Sequence, residues 1–123
     1  MNGPNRPDSP QSSRQWNMGP VIIVHATVTA QPPFRDQLEN LLRRLRDQTR
    51  AADPGCLEYT YYRDIDDDCR FICVEVWKDE ASLRAHLAAP HMNDPNSRFA
   101  EFTQGEERVE IWRSSPIPVE EFE

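Results

Sequence analysis

The chain predicts an α+β fold built on a four-stranded antiparallel sheet, and three observations carry that prediction. Apolar and polar residues alternate with a period of two in four segments. Two further segments repeat their apolar residues at helical spacing. The order along the chain is strand, helix, strand, strand, helix, strand. At 123 residues the length fits one domain.

Each element has a local cause. Residues 1–19 hold three Pro, three Ser and three Asn with little periodicity. They lack the apolar content to offset chain entropy and are expected to be a disordered leader. Val21 to Ala30 is rich in β-branched residues and reads as a strand. Ile22, Val24, Ala26, Val28 and Ala30 share its apolar face, and Ile23, His25, Thr27 and Thr29 share a more polar one. Gln31-Pro32-Pro33 ends this strand and opens a helix, since Pro suits a first turn. Phe34, Leu38, Leu41, Leu42 and Leu45 form the apolar stripe of that helix. Arg43, Arg44, Arg46 and Arg50 lie outside the stripe, and cations near a helix C-terminus suit its dipole. Asp53-Pro54-Gly55 stops the helix and turns the chain.

Cys56 to Asp64 is the second strand, rich in Tyr, and Cys69 to Lys78 is the third. An acidic turn joins them. It lacks the central Gly and terminal Glu of a calcium loop. Placing Glu58 opposite Glu75 would set like charges together, so the predicted register sets Tyr59 opposite Glu75 and Asp64 opposite Arg70. Tyr59, Tyr61, Phe71, Cys73, Glu75 and Trp77 then share one face. Asp79 is the expected N-cap of the second helix, with Glu80 in its first turn and Pro90 ending it. Residues 92–102 are expected to form a further short helix, broken by Gly105. Glu106 to Arg113 is the fourth strand, and residues 114–123 are an acidic C-terminal tail that either crosses to a neighbour or stays loose.

This order is the ferredoxin-like split β-α-β pattern, spanning residues 20–113. Both long helices cover one side of such a sheet. The first and third strands are apolar on both faces, so the other side is expected to be buried as well. A homodimer packed sheet against sheet, a dimeric α+β barrel, is the predicted solution.

Composition narrows the function classes. The 14 Lys and Arg against 21 Asp and Glu give a net charge of −7, which lacks the basic footprint of a general nucleic-acid binder. The longest apolar run, Val21 to Val24, is far short of the ~20 residues of a membrane span. No continuous apolar core of a secretory signal stands at the N-terminus. A cytoplasmic protein with no membrane or nucleic-acid partner is the expectation. Cys56, Cys69 and Cys73 cannot all pair within one chain, and Cys69 and Cys73 on one strand stand about 13 Å apart. They are expected to be reduced, packed thiols. The histidines show no metal-ligand spacing on one helix face, and no metal is expected.

The run Asp53-Pro-Gly-Cys-Leu-Glu-Tyr59, then Phe71 with Glu75-Val-Trp77-Lys-Asp-Glu-Ala81, then His86-Leu-Ala-Ala-Pro-His91-Met92, resembles the antibiotic biosynthesis monooxygenase (ABM) domain. It is most similar to small quinol-monooxygenase-like members. The resemblance implies a ferredoxin-like dimer with a pocket between sheet and helices, and in some members oxygenation of phenols or quinols by O₂ without a cofactor. Other members degrade haem or isomerise small phosphates, so the fold alone does not fix the reaction. The haem-degrading set of Asn, Trp and His is not matched, because Ala26 and Asn96 fall at or near two of its positions. Cys73 stands where the polyketide-acting branch has Asn.

His91, Trp77 and His25 are the expected catalytic residues. Trp77 is similar to the family's pocket Trp. His91, just past the second helix, is placed as the base that takes a phenolic proton. His25, beside Ala26 on the first strand, is the third candidate for the same pocket. Tyr59, Phe71, Cys73, Glu75 and His86 are expected to line it. Buried Glu75 needs a partner, expected to be Tyr59 or a His. The first function is a cofactor-independent monooxygenase acting on a small phenolic or quinol substrate with O₂. The alternatives are an acid–base isomerase of a small metabolite, helped by the Arg-rich helix if that metabolite is anionic, and a non-catalytic dimeric binding domain.

Overall fold

The computed structural model describes residues 19–123, so the leader expected at the N-terminus lies almost wholly outside the described residues. Strand β1 (Val21–Ala30) is followed by helix α1 (Arg35–Ala52), β2 (Cys56–Asp64), β3 (Asp67–Trp77) and helix α2 (Glu80–Leu87). A four-residue helix α3 (Phe99–Phe102) leads into β4 (Thr103–Ser114). The strand order is β2-β3-β1-β4, antiparallel at every pairing. This is the ferredoxin-like arrangement the order of elements predicts.

The alternation in β1 does what a half-covered strand requires. Ile22, Val24, Ala26, Val28 and Ala30 are buried beneath the helices, while Ile23, His25, Thr27 and Thr29 are only half-buried on the reverse face. The stripe of α1 seats Leu38, Leu41 and Leu42 against Val28, Ala30 and Phe71. A second cluster, beneath α2, joins Ile22, Val24, Tyr59, Trp77 and Leu83. Asp79 caps α2 as expected, its carboxylate accepting the Ser82 backbone N–H at 2.8 Å.

Tyr59 does face Glu75, but Asp64 does not face Arg70. The pairing slips after Arg63, so Asp64 stands opposite Asp67 at the tight turn. The Arg70 guanidinium still reaches the Asp64 carboxylate at 3.4 Å. The expected helix over 92–102 is also corrected. A 3₁₀ turn at Pro90–Met92 and the short α3 are separated by a loop. Gly105 does not end a helix but lies inside β4, with φ +71° beside the bulge that shifts the β1–β4 register between Thr27 and Thr29. In the tail, Val119–Phe122 forms a single exposed 3₁₀ turn.

Gly55 fixes the loop that matters most to the site. Its φ is +83°, and a Cβ there would stand 2.7 Å from Ser82 Cβ. The Gly55 carbonyl accepts the Lys78 N–H at 2.8 Å. Only a residue without a side chain lets the turn after α1 lie this close to the start of α2. No helix among the described residues is long and apolar enough to cross a membrane.

Candidate functional site

Where α1 and α2 diverge over the sheet they leave a cavity of about 300 Å³. Val24, Ala26 and Val28 form part of its floor, Leu42 and Leu45 come from α1, and Leu83, His86 and Leu87 come from α2. Tyr59, Tyr61, Cys73 and Glu75 supply the polar wall. Val109 and Ile111 of β4 also line the cavity while remaining half exposed.

The strongest polar constellation joins three separate elements. Asp53, the residue just after α1, turns its carboxylate toward both α2 and the Pro90–Met92 turn. His86 donates Nδ1–H to Asp53 Oδ2 at 2.6 Å, and His91 donates Nε2–H to the same oxygen at 3.0 Å. The buried Thr49 hydroxyl lies 3.3 Å from His91 Nε2. A carboxylate can only accept, so these contacts fix the proton of neutral His86 on Nδ1 and leave Nε2 as a lone pair. His86 Nε2 is buried and has no hydrogen-bond partner among the described residues. Burial pushes the His86 pKa down, the bond to Asp53 opposes this, and nearby His91 adds to the lowering.

Glu75 is the second perturbed group. Burial raises its carboxyl to about 7, although the indole N–H of Trp77 and the Cys73 thiol both donate to it. The Trp77 Nε1–H reaches Glu75 Oε1 at 2.9 Å, so the partner is Trp77 rather than the expected Tyr or His. Burial also pushes the Tyr59 and Tyr61 phenols and the Cys73 thiol well up, keeping them protonated donors. The two phenol oxygens stand 3.4 Å apart.

Five of the eight expected site residues, Tyr59, Cys73, Glu75, His86 and His91, line this one cavity. Trp77 does not. It is fully buried behind the wall, its ring 4.6 Å from that of His86. It donates to Glu75 and packs against the His86 ring. Phe71 is packed in the cluster beneath α1, and the Arg35 guanidinium lies 5.6 Å from its ring centre. His25 points to the opposite face of the sheet, because odd-numbered β1 residues face away from the helices. There its ring meets Trp112 edge-on at 4.9 Å. Asp53 was missed, since Asp53-Pro54-Gly55 reads as a helix stop. Glu107 was missed too, because an acidic residue inside the expected fourth strand reads as a solvated edge position rather than as cavity lining. Asp53, His86 and His91 bring three ligand-type atoms within 4.8 Å of one another. That arrangement could hold a cation, although the expected His spacing argued for none. The short contacts to a single Asp53 oxygen are those of hydrogen bonds.

An antiparallel ferredoxin-like sheet with helices on one side and a polar-walled cavity between them defines a small α+β domain with a cavity in its core. Residues 21–95 match the family described as antibiotic biosynthesis monooxygenase, and the chain belongs to that family. Membership supports a general monooxygenase-like role. Among solved structures, a conserved protein from Methanosarcina mazei aligns with TM-score 0.74 and 25% identity, covering 83% of this chain and 98% of that one. A structure described as an antibiotic biosynthesis monooxygenase aligns with TM-score 0.70 and 27% identity, covering 77% of this chain and 99% of that one. An uncharacterised protein of Synechocystis is 27% identical over 73 residues, which are 59% of this chain and 49% of the relative. The match therefore spans about half the length of that relative. YcnE of Bacillus subtilis, whose monooxygenase name is provisional, is 25% identical over 71 residues, 58% of this chain and 74% of its own.

Proposed function

We propose that the chain is a monooxygenase that oxidises a small phenolic or quinol compound with O₂, using only its own side chains. The observation that carries this reading is the unpartnered Nε2 of His86, a neutral imidazole held by Asp53 in the wall of a largely apolar cavity. His86 Nε2 takes the phenolic proton, which moves the expected base from His91 to His86. The phenolate passes one electron to O₂. Superoxide and the phenoxyl radical combine at a ring carbon, and the peroxide anion takes back the proton held on His86 Nε2 to give a hydroperoxide. Loss of water from that hydroperoxide converts the ring C–H to a carbonyl, so one phenol and one O₂ give one quinone and one water. Tyr59, Tyr61 and the protonated fraction of Glu75 donate toward the oxygen that gains charge. An oxygen electrode with a panel of hydroquinones and single-ring phenols tests this. The expected result is O₂ uptake matched one-to-one by quinone, unchanged by exhaustive chelation. No uptake above the buffer rate with any member would overturn it.

The half-exposed reverse face supports the homodimer expected from the sequence. Trp112 is 43% exposed there and Tyr62 52%. Ile72 and Val74 are only half-buried. A second copy packed on this face would cover them. Sedimentation at micromolar concentration is expected to give twice the chain mass, and a monomer alone would reject the sheet-to-sheet pairing. The isomerase reading gains no support from the Arg-rich helix. Arg43 is held by Glu39 at 2.6 Å and Arg46 by Asp47 at 2.9 Å, while Arg50 donates to the Tyr59 carbonyl at 3.0 Å.

A further inference from the structure

The charge of the cavity wall is one-sided. Glu75, Asp94 and Glu107 all line it, and no Arg or Lys does among the described residues. This is not a shortage of cations, because the chain carries 14. Several of those described are engaged elsewhere. Arg43 and Arg46 are tied to acids on the outer face of α1, and Arg98 is bound to Glu101 at 2.6 Å. Among the described residues Glu107 has no such ion pair. It is exposed on the β4 edge, lining the cavity beside Val109 and Ile111. Tyr59, Tyr61 and Phe99 also border the space, and aromatic rings attract cations over their faces.

We propose that the cavity selects a small phenol bearing a protonated amine, with the phenol at His86 and Tyr59 and the ammonium at Glu107 on the open β4 side. The proposal rests on the phenol-oxidising reading and names its substrate class. An anionic substituent would meet three carboxyl groups and no counter-charge in a partly desolvated space. A neutral one gains nothing from Glu107, which stands exposed at the open edge of the cavity. An ammonium pairs with it there. Desolvation already holds Glu107 above the usual carboxylate range, and Glu107 in turn adds to the elevation of Glu75. A bound cation relieves both. Size agrees, since an apolar cavity of ~150 Å³ already admits benzene, so about 300 Å³ takes one substituted ring.

Three probes of similar size separate the possibilities: tyramine, 4-propylphenol and 4-hydroxyphenylacetate. Calorimetry on the full chain is expected to show tyramine binding at least tenfold more tightly than 4-propylphenol, and the acid more weakly than either. Glu107→Gln is expected to weaken tyramine at least fivefold more than it weakens 4-propylphenol. Equal affinities, a preference for the acid, a tyramine preference that survives Glu107→Gln, or no binding of any probe at millimolar concentration would each overturn the proposal. The two readings fail separately. O₂ uptake with neutral phenols but no amine preference removes only the substrate class. Amine preference without O₂ uptake removes only the oxygenation.

Discussion

Replacing His86 with Gln is expected to lower phenol-dependent O₂ uptake by ~10²–10⁴-fold, the range for loss of a positioned general base. Gln can still donate to Asp53 but cannot take a phenolic proton near pH 7. A collapse of the fold would give the same loss, so the pH profile is the sharper readout. Activity is expected to fall on the acid side as His86 protonates, with an apparent pKa below the usual value of 6.5. Asp53 raises that pKa and His91 lowers it. Asp53→Asn is therefore expected to move the acid limb to lower pH and His91→Ala to move it to higher pH. Shifts in opposite directions would not arise if these residues only held the loop together. If His91→Ala abolished turnover while His86→Gln spared it, the base would be His91.

Glu75→Gln is expected to remove a pH dependence of stability. Wild-type Glu75 has its carboxyl raised from 4.5 to about 7 by burial. Below pH 4.5 both folded and unfolded chains are protonated at this site, and nothing is lost. As pH rises toward 7 the unfolded chain ionises while the folded one resists, so the folded state loses stability, levelling off above 7. The difference amounts to about 3 kcal/mol. Gln keeps an oxygen to accept the Trp77 indole N–H and carries no charge. Urea melts at pH 4.5 and pH 8 are expected to show the variant gaining on the wild type by roughly that amount at the higher pH. His86 contributes an opposite slope on the acid side, because its lowered pKa costs stability as pH falls through 6.5. The comparison between variant and wild type isolates Glu75. A variant that tracked the wild type at both pH values would place the Glu75 carboxyl in water.

The elements were legible because period-two and helical patterns report burial directly. Phe34 to Leu45 and the alternation of β1 and β3 needed no tertiary context. The pairing of Tyr59 with Glu75 followed from avoiding two facing glutamates. The start of β4 was not legible, since Gly105 reads as a breaker and instead occupies a bulge within the strand. The polar wall of the site was legible in Tyr59, Cys73 and Glu75, which share one face of a hairpin. His25 was misplaced because alternation says which residues share a face but not which face contains the cavity. Asp53 meets His86 and His91 across 33 and 38 positions, a closeness that no local pattern carries. Its signal, an Asp before Pro-Gly, was absorbed by the turn it also makes.

The Asp53-Pro54-Gly55 turn sets which side of the cavity can open. Gly55 is joined to the end of β3 through Lys78 and lies against Ser82 in the first turn of α2. Moving α2 off the sheet would break that seam and drag Asp53 away from both imidazoles. The α2 side is thus the hinge of the chamber, and its door is the β4 side, where Val109 and Ile111 are half exposed and Asp94 and Glu107 line the rim. A ligand would enter there end-on. The ring that leads would reach His86, and the group that trails would remain at Glu107, so the chamber admits its guest in one orientation.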